Sequence, residues 1–174
     1  MNMKCSACRY EWEPRKKDNK PKECPKCKTR LDRNDKIVYA YVCGDIIHIG
    51  HITHLLNAKG AGDKLYVGVL TDEAVQERKQ RPVFSFKERM DLIRNLKCVD
   101  VVVPQDEYSP LKNVRNIKPD ILAESTSHKP EDIKAAEAVM KDIGGRVIVM
   151  PYYSEQSSTN IKETIQKQWK KPKK

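Results

Sequence analysis

Val42-Cys43-Gly44-Asp45-Ile46-Ile47-His48-Ile49-Gly50-His51 decides the fold of this 174-residue chain. An apolar run, Ile37 to Val42, leads into it, and apolar residues at helical spacing (Ile52, Leu55, Leu56, Ala58) follow before Gly60. The stretch therefore reads as strand, tight turn and helix. His48 and His51, three residues apart, are expected on one face of the helix's first turn, with Gly50 leaving room for a bulky ligand group. Free backbone N–H groups and the positive end of the helix dipole make such a terminus an anion site, and two imidazoles added there point to phosphate. A pair of surface histidines, or a metal site completed by Asp45, are the alternatives at this stage.

Outward from this stretch the same pattern repeats. Lys64 to Leu70 reads as a second strand, Thr71 to Lys79 as a short helix broken by Arg81-Pro82, and Ser85-Phe86-Lys87-Glu88 as a capping box opening a helix through Met90, Ile93 and Leu96. Val99 to Val103 is a third strand, Pro110 to Ile117 a short helix and Ile121 to Ala123 a fourth strand. Pro130 suits a first helical position, Gly144-Gly145 ends that helix, Val147 to Met150 is the last strand, and a final helix runs from Ser158 or Thr159 to Trp169. Five strands alternating with helices predict an α/β fold with a doubly wound parallel sheet. Such sheets bind ligands beyond the C-terminal ends of their strands, where the strand order reverses. The helix ends at His48 and at Ser157-Ser158-Thr159 would then converge on one anion, a geometry suited to a triphosphate.

The formal charge of +10 is uneven: residues 1–36 carry +6 and 166–174 carry +5, leaving −1 for 37–165. Any affinity for nucleic acid therefore belongs to the basic ends and not to the central domain. No apolar run approaches membrane length and the N-terminus lacks a signal-peptide stretch, so a cytoplasmic protein without a membrane span is expected. Four of the six cysteines form two knuckles, Cys5-Ser6-Ala7-Cys8 and Cys24-Pro25-Lys26-Cys27, separated by 15 residues. That is the spacing of a four-thiolate zinc ribbon. A segment with so few large apolar side chains cannot fold on burial alone, whereas structural zinc supplies roughly 10–16 kcal/mol of apparent binding free energy to such modules. The expected organisation is a zinc ribbon over 1–35, an α/β domain over 36–166 and a basic tail over 167–174.

His48-Ile49-Gly50-His51, Asp45 ahead of it, Thr71-Asp72-Glu73, Arg89, and Ser157-Ser158-Thr159-Asn160-Ile161-Lys162 together resemble the HxGH nucleotidylyltransferase superfamily, in its cytidylyltransferase-like branch. The resemblance covers about 37–165. Gly68 to Ala74, Lys79 before Arg81-Pro82, Val103-Pro104-Gln105 and Lys118-Pro119-Asp120 look like domains associated with phosphonate biosynthesis. Lys129-Pro130-Glu131-Asp132-Ile133 and Gly144-Gly145 are also similar to heptose-phosphate adenylyltransferases, and glycerol-3-phosphate cytidylyltransferases match somewhat less well. Three places depart from the usual family pattern. Val42-Cys43-Gly44 stands where relatives carry Gly, then Thr or Val, then Phe; Tyr152-Tyr153-Ser154-Glu155 stands for Arg-Thr-Glu-Gly; and Glu124-Ser125-Thr126-Ser127-His128 replaces an acidic turn.

The resemblance implies a Rossmann-like, HUP-type fold, a homodimer, and a reaction in which an oxygen of a phosphorylated or phosphonylated small molecule attacks the α-phosphorus of CTP or ATP and expels pyrophosphate. On that reading His48, His51 and Lys79 are catalytic. Cys43, Gly44, Asp45, Gly50, Arg89, Ser157, Ser158 and Thr159 cradle phosphate, Asp45 orienting the turn or assisting Mg²⁺. Asp120, Ala123 and Glu124 meet base and ribose. His54 is expected to face solvent or to be a satisfied helix residue, and His128 stands between acceptor contact and surface. The alternative reading is a zinc-ribbon protein that binds nucleic acid, its α/β domain sensing nucleotide without catalysis. For the ribbon itself, Cys24→Ser is expected to release the zinc and unfold the first ~35 residues while the α/β domain stays folded. Metal analysis of the purified variant checks this, and wild-type zinc content would remove the assignment.

Overall fold

The computed structural model describes residues 3–4, 10–14, 21, 24–26 and 35–169. The chain divides into two compact units, Met1–Asp35 and Lys36–Lys174. In the first, strands β1 (Met3–Lys4) and β2 (Glu11–Trp12) pair antiparallel, with Met3 opposite Trp12. Tyr10 and Trp12 stack with centroids 6.1 Å apart, and the Lys26 ammonium lies over the Tyr10 ring. Cys24 is wholly buried, the only buried side chain among the described residues of this unit. The other three expected zinc ligands, Cys5, Cys8 and Cys27, lie outside the described residues, as does the tail from 170 onward.

The second unit runs β3 (Ile37–Val42), α1 (Ile49–Gly60), β4 (Lys64–Leu70), α2 (Asp72–Gln76), α3 (Phe86–Arg94), β5 (Val101–Gln105), α4 (Leu111–Ile117), β6 (Ile121–Ser125), α5 (Pro130–Asp142), β7 (Arg146–Met150) and α6 (Ser158–Trp169). All five strands are parallel, in the order β5-β4-β3-β6-β7. The order reverses between β3 and β6. Strand alternation divides the core: Val38, Ala40 and Val42 pack with Leu55, Ala58 and Ile93 on one face, while Tyr39 packs with Val114, Ala136 and Met140 on the other. Among the described residues no helix is long and apolar enough to cross a membrane.

Local chemistry sets most boundaries. Ser85 caps α3 by accepting from the Glu88 N–H, and the Glu88 carboxylate accepts from the Ser85 N–H at 2.8 Å, closing the expected capping box. Several boundaries differ from expectation, three of them near the sheet's C-terminal edge. β5 runs on through Pro104 to Gln105, because β5 is an edge strand and the missing proline N–H breaks no ladder bond there. α2 stops at Gln76, so Lys79 lies in the turn beyond it. β6 extends to Ser125, carrying the buried polar residues Glu124 and Ser125 to the C-terminal edge of the sheet.

One polar cluster crosses the sheet's second face. The Tyr39 hydroxyl donates to Gln105 Oε1 at 2.7 Å and accepts from Asn113 Nδ2 at 2.8 Å, and Gln105 Nε2 donates to the carbonyls of Glu107 and Tyr108. It holds the loop that carries Tyr108. Gly68 on β4 makes room for it: a Cβ there would lie 2.0 Å from the Tyr39 hydroxyl oxygen and 2.7 Å from Gln105 Oε1. Gly68→Ala is therefore expected to destabilise the domain by about 1–3 kcal/mol through overpacking. Tyr39→Phe in the same background, which removes the clashing oxygen, should recover part of the loss. Chemical denaturation of wild type, the single Gly68→Ala variant and the double variant measures this, and a single variant as stable as wild type would contradict it.

Candidate active site

The turn after β3 is built on Gly44, whose φ of +73° needs no Cβ, and a Cβ would also lie 3.3 Å from Ile93 Cγ1. His48 sits just outside α1 as its N-cap, with extended backbone, and its Nδ1 accepts from the Gly50 N–H at 3.1 Å. The two histidines thus do not share a helical turn as the spacing suggests. Their rings meet because the cap folds His48 back toward the first turn, with ring centroids 4.0 Å apart. The group that requires Gly50 is the His48 ring itself: a Cβ at 50 would come within 2.9 Å of His48 Cε1.

Asp45 is buried beside this turn. One carboxylate oxygen accepts from the N–H groups of Val83 and Phe84 at 2.8 and 3.0 Å, and the other pairs with Lys162 Nζ on α6 at 2.7 Å. Burial works to raise its pKa, but the Lys162 bond and the two amides outweigh that and hold the carboxyl below its ordinary value. Ser158 Oγ donates to the Ile46 carbonyl at 3.1 Å. Two side chains therefore bind the N-terminal half of α6 to the turn ahead of α1.

A cleft of about 180 Å³, open to solvent, lies at the reversal of the sheet. Cys43, His48, Gly50, His51, His54 and Lys79 line it together with Tyr41, Thr53, Tyr108, Ser125, Ser127, His128, Tyr152 and Tyr153. Its mixed polar and apolar lining suits a small-molecule site. A second lobe of about 200 Å³ shares Tyr41, Tyr108, Ser127 and His128 with the first and continues over Arg78, Glu124, Lys129 and Asp132. Burial, then the nearby charges of His48, Lys79 and His54, push the His51 imidazole down to about 4. Burial lowers His48 and His54 as well, so all three rings are neutral near pH 7. His51 Nδ1 is buried without a hydrogen-bond partner among the described residues. Burial raises the Cys43 thiol, which stays protonated.

Other expected site residues lie elsewhere. Arg89 is fully buried on α3 and does not line the cleft. Its Nη1 donates to the carbonyls of Cys43 and Leu70, and its Nη2 to Asp72, so the guanidinium straps the C-terminal ends of β3 and β4 together. Asp120 precedes β6 at the opposite edge of the sheet, where it accepts from the Ile37 N–H at 2.7 Å. Ala123 is wholly buried within β6. Ser157 caps α6 by accepting from the Asn160 N–H, Ser158 holds Ile46 and Thr159 is exposed; none of the three lines the cleft. Glu124 turns to Tyr41 and His128 in the second lobe. His54 faces the cleft and not solvent, one helical turn on from His51. Sequence reasoning passed over Tyr41 and Tyr108, although each lies at or just beyond the C-terminal end of a strand, where this fold class places its ligands. Lys162 belonged to the quoted motif and had no role.

A cytidylyltransferase-like family profile matches residues 41–164. The chain is 36% identical over 136 residues to the bifunctional protein HldE of Hydrogenovibrio crunogenus, and 38% identical over 136 residues to HldE of Actinobacillus pleuropneumoniae. Each match takes in 77% of this chain and 28% of the relative, so the chain spans little more than a quarter of these curated relatives. The crystal structure of a lipopolysaccharide core biosynthesis protein from Thermoplasma volcanium GSS1 superposes with a TM-score of 0.61 at 29% identity, covering 70% of this chain and 99% of that one. Pantoate-beta-alanine ligase from Francisella tularensis shares the fold, with a TM-score of 0.54 at 16% identity over 78% of this chain and 71% of its own. With the parallel sheet, the cleft at its reversal and most of the α/β unit within the matched span, the chain belongs to the cytidylyltransferase-like family.

Proposed function

We propose that the chain transfers the nucleotide monophosphate of ATP or CTP to an oxygen of a phosphorylated small molecule, releasing pyrophosphate. The observation that carries this is the pair of neutral imidazoles, His48 and His51, at the N-terminus of α1 inside a cleft at the sheet's reversal. The acceptor oxygen attacks the α-phosphorus. The bond from that phosphorus to the α,β-bridging oxygen breaks, and pyrophosphate leaves with the electron pair. Such a displacement asks the protein for positioning and charge stabilisation, not for a covalent intermediate. Because His48 Nδ1 accepts from Gly50, the proton of its neutral ring sits on Nε2, which donates to a phosphate oxygen. His51 offers a second donor, and Lys79 brings positive charge to the α-phosphate or to the acceptor's phosphate.

The similarity to HldE proteins, added to the stretches that resemble heptose-phosphate adenylyltransferases, favours ATP and a sugar phosphate. The same resemblance carries the expectation of a cytoplasmic homodimer. Side chains around His48 do not fit an Mg²⁺ held by the protein: among the described residues no carboxylate lines that lobe, and both Asp45 oxygens are engaged by protein donors. Mg²⁺ would therefore be held by the nucleotide's own phosphates. Zinc suits the first unit, whose wholly buried Cys24 thiol is a soft donor of the kind zinc takes.

Pyrophosphate release with ATP or CTP across a panel of phosphorylated sugars, polyols, amino alcohols and phosphonates tests the assignment. Turnover is expected with one nucleotide and acceptor pair, and His51→Ala should lower it by ~100-fold or more, the scale for loss of a preorganised donor. An unchanged rate would remove His51 from the chemistry. No turnover with any pair, together with salt-sensitive binding of RNA or DNA, would favour a nucleic-acid binder. The depressed His51 pKa also has a stability consequence. An unfolded histidine takes up its proton near pH ~6.5 and the folded one only near 4, so stability falls as pH drops through that window. Thermal melts at neutral pH and at about pH 5 should show a smaller drop for His51→Gln than for wild type; equal drops would contradict the buried neutral ring.

A further inference from the structure

Glu124 is 2% exposed at the C-terminal end of β6, and its only ion-pair partner among the described residues is His128. A carboxylate in that position needs donors. It has two: the Tyr41 hydroxyl at 3.1 Å, and His128 Nδ1, in close contact with Glu124 Oε2. Burial first, and then Glu124, raises the Tyr41 pKa, so its hydroxyl remains a donor. His128 Nδ1 also lies 3.5 Å from the Ser125 nitrogen; in the tautomer that donates from Nδ1 to Glu124, the ring's lone pair is on Nε2. Nδ1 faces the protein, so Nε2 occupies the other edge of a ring that lines both lobes of the cleft, and the His128 side chain keeps 26% exposure. Ser127 lines both lobes beside it, its hydroxyl 2.9 Å from that of Ser125.

This corner differs electrostatically from the corner at His48. There, helix N–H groups, a donating imidazole and Lys79 suit an anion. Here, a buried carboxylate behind an imidazole lone pair repels anions and accepts hydrogen bonds. The group it fits is a hydroxyl. Building on the nucleotidyl-transfer reading, we propose that Glu124 and His128 form a carboxylate–imidazole dyad whose Nε2 accepts a hydrogen bond from a hydroxyl of the acceptor, which makes the second lobe the subsite for a polyhydroxylated, sugar- or polyol-type acceptor. Its phosphate points back toward Lys79. Glu124 acts through His128 and is a positioning residue; His128 is the one that touches substrate. Arg78, paired with Asp132 at 2.6 Å and lying 4.5 Å from the Tyr108 ring centroid, walls the lobe on its far side.

The chain has four histidines, so nitrogen-labelled histidine gives an NMR spectrum assignable by single variants. In the free full-length protein His128 should show the Nδ1-protonated tautomer. Ribose-5-phosphate or glycerol-3-phosphate should shift its ring nitrogens, inorganic phosphate should not, and a non-hydrolysable ATP analogue should shift His48 and His51 instead. Glu124→Gln should lose the tautomer bias and weaken sugar-phosphate binding by at least ~10-fold, the scale of a lost hydrogen bond to a charged group. If that variant fails to fold, His128→Ala, checked by its retained response to the ATP analogue, should show the same weakening. A His128 silent to both hydroxylated probes while His48 and His51 answer the ATP analogue overturns the dyad's role and leaves the nucleotide reading standing. A His128 that answers the ATP analogue instead, or phosphoethanolamine alone, overturns the hydroxylated acceptor. Silence of all the histidines toward the ATP analogue sinks the nucleotide reading, and this inference with it.

Discussion

The carboxylate of Asp45 is the constraint on which the site depends. It lies on the turn between β3 and α1, yet it holds two amides from the segment ahead of α3 and one ammonium on α6. Burying an ionised carboxylate is costly unless its oxygens are hydrogen-bonded, and charge-assisted bonds are the stronger kind. Here both oxygens have partners, so the turn that presents His48 is fixed from two directions. Arg89 does the complementary task from below. Its guanidinium takes the terminal carbonyls of β3 and β4 and the Asp72 carboxylate, closing the strand ends that form the cleft's floor. Both residues were expected at the phosphate site, and both act on protein groups.

That arrangement leaves the cleft with few free charges. Among the described residues Lys79 is the one Lys or Arg that lines the His48 lobe, and no carboxylate lines it. Three neutral imidazoles supply direction without net charge, and the α1 terminus adds its dipole. In the second lobe Arg78 pairs with Asp132, and Glu124 is held by Tyr41 and His128. A site of this kind recognises its ligand through oriented donors and acceptors, which favours preorganisation over bulk attraction.

The fold was legible in the chain because its signals are local. Parallel strands buried on both faces read as short apolar runs, and Ser85 with Glu88, Pro130 and Gly144 mark helix ends whatever the tertiary context. What was not legible depends on topology. Pro104 stops a strand reading unless β5 is known to be an edge, and Glu124 and Ser125 read as loop unless their half-buried partners, Tyr41 and His128, are known to lie across from them. Asp120 was assigned to the ligand because it stands close to β6 in sequence, but it sits at the wrong end of that strand. For Arg89, residue type indicated a phosphate ligand, whereas position on the inner face of α3, toward Ile93 and the strand ends, put it out of solvent's reach. The Asp45–Lys162 pair bridges 117 positions along the chain, a separation at which no spacing rule operates.

The departures from the family pattern fall where the geometry compensates for them. A glycine directly before Asp45 supplies the positive φ of the turn and lets the backbone pass Ile93, so Val42 can remain a strand residue packed in the core. Cys43, the first residue past the strand, then places its carbonyl on Arg89, and its side chain is small enough to face the cleft beside His48 without filling it. At the other departure, Tyr152 and Tyr153 stand where relatives carry a cation, and both line the cleft. Tyr152 is held by its N–H to Thr126 Oγ1, which ties the loop after β7 to the loop after β6. The cation is thus exchanged for two amphipathic rings and a hydroxyl-rich neighbouring loop. Such a wall stacks on and hydrogen-bonds to a neutral moiety better than it binds phosphate. The sign of the substitution matches the corner at Glu124 and His128: along the side of the His48 lobe facing β6 and β7, aromatic rings and hydroxyls form the wall, with no Lys or Arg among the described residues.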